Sequence, residues 1–74
     1  MYTLDVSREG IVYTLAELNF AGFDMPFFFD TKQEALCYAK AFLELYPDHE
    51  EASVVRLTDM KKVAVLKSEV SVKV

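Results

Sequence analysis

One cysteine, one histidine, no tryptophan and two glycines leave this 74-residue chain short of most residues that carry chemistry. A single thiol excludes an intrachain disulfide and suits a reducing compartment. A nucleophilic dyad needs thiol and imidazole within hydrogen-bond reach. Cys37 falls on the polar side of an expected helix, more than two turns before its end, and His49 lies beyond that end. At about 1.5 Å of rise per residue the helix alone separates the two by roughly 10 Å or more. Cys37 therefore reads as a bystander, with nothing nearby to activate it. One histidine and no second thiol fall short of a structural zinc set. Asp48-His49-Glu50-Glu51 lacks the alternating spacing of a calcium loop and reads as a solvated acidic connection.

Gly10 and Gly22 stand too far apart for a phosphate-cradling loop. The acidic residues are scattered, and none is visibly set in an apolar pocket as acid–base catalysis requires. A Ser-His-Asp set with its one imidazole in a polar loop is implausible. The expectation is a protein without catalysis, cofactor or metal. No apolar run approaches the ~18 residues of a membrane span. Met1-Tyr2-Thr3-Leu4-Asp5 has no basic stretch ahead of an apolar one, so no signal peptide is read. The expected location is cytoplasmic.

Positive charge is also scarce. The net charge is −4, divided unevenly: −6 over residues 1–50 and +2 over residues 51–74. An acidic excess argues against a large phosphate-binding footprint. A small one remains as the alternative, on Arg56, Lys61, Lys62 and Lys67, with Lys73 beyond them. Single-strand binders interleave such charges with aromatic stacking platforms. This stretch has no aromatic residue, so lysines that blunt a sheet edge are the simpler reading.

What the chain has in quantity is apolar residues, 53% of the total. A domain this small buries only about 60% of the surface its unfolded chain exposes. The surplus predicts a larger protein partner, a homodimer, or both.

The elements follow from periodicity. Tyr2–Ser7 alternates apolar and polar residues, as a half-buried strand does. Arg8-Glu9-Gly10 is a turn with Gly10 supplying positive φ. Ile11–Asn19 reads as a second strand, favoured by its β-branched and aromatic residues, with a phase slip near Leu15–Ala16 that calls for a bulge. Thr14 and Glu17 have capping-box spacing, which offers a short helix over Thr14–Phe20 as the competing reading.

Asp30 with Gln33 and Thr31 with Glu34 are two overlapping caps for a helix that runs to about Tyr46 and stops at Pro47. Its broad apolar side carries Ala35, Tyr38, Ala39, Phe42, Leu43, Leu45 and Tyr46. Gln33, Cys37, Lys40 and Glu44 lie opposite. Ala52–Thr58 and Val63–Val74 read as strands, the last with another change of phase. The fold class is α+β: one domain over residues 1–74, in ββαββ order, with an antiparallel sheet and one helix packed on one face.

Five of the six phenylalanines fall between Phe20 and Phe29. Two arrangements are open. The segment closes the sheet, with Phe27 and Phe29 turned in and Phe28 out. Otherwise Phe20, Phe23, Met25 and Phe28, rimmed by Asp24 and Asp30, dock on a protein, since interfaces favour aromatics and Met as anchors. The functional expectation is a non-catalytic protein-binding module, an inhibitor or adaptor that occupies a partner's surface. Small acidic domains of this kind occur among proteins of phages and mobile elements, including inhibitors of host defence. The alternative is a nucleic-acid-binding regulator using the basic C-terminal hairpin.

Overall fold

In the computed structural model, residues 1–68 are described. The chain forms strands β1 (Tyr2–Arg8) and β2 (Ile11–Thr14), helices α1 (Leu15–Phe20) and α2 (Lys32–Leu45), then strands β3 (Glu51–Arg56) and β4 (Lys61–Lys67). The four strands make one antiparallel sheet in the order β2-β1-β3-β4. The α+β class and the ββαββ frame stand, with one short helix added.

The first hairpin closes on Glu9 and Gly10, both at positive φ (53° and 79°). Two successive left-handed residues make the turn whose twist matches the flanking strands. Arg8 then pairs with Ile11 and Asp5 with Thr14. Alternation sends Leu4 and Val6 of β1 and Ala52 and Val54 of β3 to one face, where all four are buried. Ala35, Ala39, Phe42 and Leu43 of α2 meet them in the core. Ala35 and Ala39 are fully buried, and their small side chains let the helix axis approach the strands.

The start of α2 uses the second of the two expected caps. The Glu34 N–H donates to Thr31 Oγ1 (3.1 Å) and the Thr31 N–H to Glu34 Oε1 (3.3 Å). Leu45, expected on the apolar side, is 72% exposed at the helix end.

The second strand is shorter than its composition suggests. It ends at Thr14, and the remainder of the expected strand is α1. The capping box decides this: the Glu17 N–H donates to Thr14 Oγ1 (3.2 Å) and the Thr14 N–H to Glu17 Oε1 (2.9 Å). The phase slip at Leu15–Ala16 is thus a change from period 2 to period 3.6, not a bulge. Leu15 and Leu18, three apart, turn into the core, while Ala16 and Glu17 stay exposed.

A bulge does occur in the last hairpin. Val54 pairs with Ala64 but Val55 pairs with Lys62, which leaves Val63 as the extra residue. Val63 and Ala64 consequently both pack against the core. The change of phase therefore falls at Val63, which packs on the core with Ala64 and Leu66, and not between Val65 and Leu66 as the sequence pattern suggests; Val65 is exposed on the other face. The expected extension through Val70, Val72 and Val74 lies outside the described residues.

On the sheet face away from α2, β1 presents Thr3, Asp5 and Ser7. Ser53 and Val55 of β3 are nevertheless buried, flanked across the ladders by Thr3, Asp5, Lys62 and Val65. Burial pushes the Asp5 carboxyl above its ordinary value of 3.8; Lys62 pulls it back and Glu17 adds to the rise. Among the described residues, no helix is long and apolar enough to cross a membrane.

Candidate functional site

The aromatic segment folds back on α1 through two local devices. Gly22, at φ 108°, ends the helix in a Schellman arrangement. The Phe23 N–H reaches the Leu18 carbonyl (3.0 Å) and the Gly22 N–H the Asn19 carbonyl (3.1 Å). Asn19 then clasps Met25. Its Oδ1 accepts from the Met25 N–H (3.0 Å), and its Nδ2 donates to the Met25 carbonyl (2.8 Å) and to the Leu15 carbonyl (3.0 Å). Phe29 finally pairs backbone to backbone with Tyr2 on the edge of β1 that β2 leaves uncovered.

These constraints sort the segment's side chains. Met25 and Phe29 are buried, each 7% exposed. Met25 therefore leaves the expected docking set and joins the core, because the Asn19 clasp holds its backbone against α1. Phe23 is half-buried and wedged among Phe42, Tyr46 and His49, at ring-centroid distances of 5.9, 5.0 and 6.2 Å. Phe20 at the end of α1 is 96% exposed, and Asp24 is exposed beside the segment. Phe27 and Phe28 are each 55% exposed and neighbour one another at 6.5 Å. Phe27, expected to turn in with Phe29, does not.

His49 overturns the reading of residues 48–51 as a uniformly solvated connection. It is 2% exposed, with its ring 4.9 Å from that of Phe42. The loop is anchored at several points. The His49 N–H reaches the Tyr46 carbonyl (3.1 Å), the Glu50 N–H the Ser7 carbonyl (2.8 Å), and Glu50 Oε1 accepts from the Glu9 N–H (2.6 Å). His49 Nδ1 lies 3.2 Å from Asp48 Oδ1, and Asp48 Oδ2 lies 3.3 Å from Arg8 Nε. A carboxylate only accepts, so in the neutral ring the tautomer that bonds Asp48 carries its proton on Nδ1 and a lone pair on Nε2. Nε2 has no protein partner and is not sealed from solvent.

Together these elements enclose a cleft of about 480 Å³. Tyr13 of β2 and Ala16 and Leu18 of α1 form one wall. Phe20 and Ala21 stand at the mouth. Phe23 and His49 close the inner side, and Arg8 and Glu17 supply the charges. Of the docking residues expected from sequence, Phe20 and Phe23 line this cleft. Phe28 lies elsewhere, beside Phe27. Arg8, Tyr13, Glu17 and His49 were not legible as site residues. The one available signal was the capping box of α1, which places Glu17 beside β2.

A second, shallower hollow on α2 carries Cys37 with Phe29, Gln33 and Tyr38 among its neighbours. Cys37 is exposed on the outer helix face. Among the described residues, no three His, Cys, Asp or Glu side chains gather as metal ligands.

The basic hairpin holds its charges differently. Arg56 is engaged by Asp59 through two hydrogen bonds, Nε to Oδ1 (3.1 Å) and Nη2 to Oδ2 (2.7 Å). That pairing raises the Arg56 pKa and lowers that of Asp59. Lys61, Lys62 and Lys67 remain exposed along β4. The alternative nucleic-acid set is thus three exposed lysines and an Arg56 that shares its charge with Asp59.

No family model, no curated protein and no solved structure matches the chain.

Proposed function

We propose that this chain is a non-catalytic protein-binding module, an inhibitor or adaptor that works by occupying the surface of a larger protein in the cytoplasm. The observation that carries the reading is Phe20. A phenylalanine 96% exposed at the lip of a cleft walled by Tyr13, Leu18 and Phe23 contributes nothing to its own core. Interfaces use aromatic anchors in this way, surrounded by a polar rim, and Arg8, Glu17 and Asp24 are the polar groups at hand. The exposed pair Phe27 and Phe28 adds further apolar surface. A role in the service of a phage or mobile element fits such a domain by size and composition.

The test is capture from extract with and without nuclease treatment, comparing the wild type with Phe20→Ser and with Lys61→Ser/Lys62→Ser. A protein held by the wild type and by the lysine variant, but lost by Phe20→Ser at unchanged melting temperature, supports the reading. Capture that depends on the lysines, falls steeply with salt and disappears with nuclease would overturn it in favour of nucleic-acid binding.

A further inference from the structure

We infer that the cleft between β2, α1 and the Asp48–His49 loop is a receptor for a single tryptophan side chain of the partner. The inference rests on the protein-binding reading and specifies its chemistry.

A histidine 2% exposed normally spends both ring nitrogens on protein partners. With Nδ1 turned to Asp48, a neutral imidazole leaves Nε2 as an acceptor without a protein partner, and His49 is one of the residues that line the cleft. Glu17 adds a second acceptor. Its Oε1 is used by the Thr14 N–H, and no hydrogen bond engages its Oε2. The cleft thus asks its occupant for a donor.

The charges agree. Arg8 is offset by Asp48, and Glu17 leaves the surroundings net negative, which disfavours a carboxylate or phosphate. The walls ask for an apolar ring: Tyr13, Leu18, Phe20 and Phe23 provide apolar and aromatic surface, and a volume of about 480 Å³ falls within the range of small-ligand sites. Arg8, held by Asp48 at the wall, offers a cation to a ring face, and indole is the ring that cations favour most. Indole is also a donor only, with one N–H and no acceptor. A tryptophan side chain meets each demand. Phenylalanine lacks the donor, and an aliphatic residue lacks the ring.

The test uses free probes: N-acetyl-tryptophanamide, its indole-N-methyl derivative and N-acetyl-phenylalaninamide. The chain has no tryptophan, so the probe's own fluorescence reports binding alongside amide shifts. The expected result is saturable binding of the tryptophan probe that shifts the amides of Leu18, Phe23 and His49. Affinity should fall roughly three- to tenfold on methylation, the effect of losing one hydrogen bond.

Ala16→Leu fills the cleft from an exposed helical position and should abolish binding with the fold intact. His49→Phe keeps a ring against Phe42 and should erase the preference for the unmethylated indole. If that variant fails to fold, the methylated probe and Ala16→Leu decide alone. Equal affinity for all three probes, shifts confined to Phe27 and Phe28, or no saturable binding overturns the proposal. None of these outcomes touches partner capture through Phe20, so failure here is distinguishable from failure of the binding-module reading.

Discussion

The two edges of the sheet meet one hazard in opposite ways. An exposed edge strand offers unpaired N–H and C=O groups to any passing strand. β4 is long and carries Lys61, Lys62 and Lys67, so a second copy brought against it meets like charge. β2 has no charged residue, and Ile11 and Val12 are each more than half exposed. Its protection is shortness. In a two-residue hairpin the closing pair Arg8–Ile11 bonds inward, so Val12 and Thr14 turn their backbone groups outward. Glu17 takes the Thr14 N–H, leaving Val12 as the one residue with both groups free. The β4 side is thus made soluble by charge. The β2 side keeps an apolar surface, limited in extent, next to the cleft. Ile11, Val12 and Phe20 put exposed apolar surface beside the cleft, while Met60 and Val65 on the β4 side are exposed among lysines.

The sharpest way to break that contrast is to remove what supports the β2 side from below. Phe42 is 2% exposed and touches Phe23, Tyr46 and His49. Phe42→Ala should cost about 3–5 kcal/mol, the usual loss for a buried phenylalanine. On a small domain that is most of the total stability, and the melting transition should be lost. Phe20→Ser, on the same side but outside the core, should change stability by less than about 0.5 kcal/mol. Similar losses from both, in a denaturant titration, would place Phe20 in the core and end the docking argument.

Making the two edges alike tests self-association. We propose that the apolar surplus supports a homodimer that packs through the exposed Ile11 and Val12 side chains of β2 rather than by strand pairing. Light scattering at micromolar concentration should return more than the 8.5 kDa of one chain. Val12→Lys, which gives β2 the device β4 already has, should restore the single-chain mass. A wild type that stays at 8.5 kDa at every concentration contradicts the proposal.

A smaller effect is expected from uncapping α1. Thr14→Ala removes the hydroxyl that accepts from the Glu17 N–H and should cost about 0.5–2 kcal/mol. Hydrogen exchange should rise along Leu15–Phe20 and leave β4 unchanged. Uniform exchange across both sides would show that α1 is not a local unit.

The least effect belongs to the polar sheet face shared by both sides. Burial raises the folded pKa of Asp5 above 3.8, so the folded state holds that proton longer than the unfolded chain. Stability then falls as pH rises from 3.8 through the raised value, and the cost persists above it. Asp5→Asn should stabilise at neutral pH, with the gain fading as pH drops toward 3.8. A gain that grows on acidification would mean that the attraction of Lys62, not burial, governs this carboxyl.

Local signals in the chain were sufficient for its frame. Thr31 with Glu34 and Pro47 bound α2, and alternation marks β1. These signals act between residues a few positions apart, so they are readable without a fold. The capping box at Thr14 and Glu17 was readable too, but it competed with β-branched and aromatic residues that suit a strand. Side-chain hydrogen bonds to the first helical amides won over that propensity.

Only the tertiary structure decided which phenylalanines are core and which are surface, because five adjacent aromatics have the same hydropathy. The Schellman turn at Gly22 and the Asn19 clasp on Met25 settle that by direction. The cleft was equally beyond the sequence. Its members come from β1, β2, α1, the aromatic segment after α1 and the loop after α2. His49 is buried because the Glu50–Ser7 and Glu50–Glu9 bonds hold that loop against the first hairpin. Such contacts join residues about forty positions apart, and no local pattern encodes a pairing that exists only once the chain has folded back on itself.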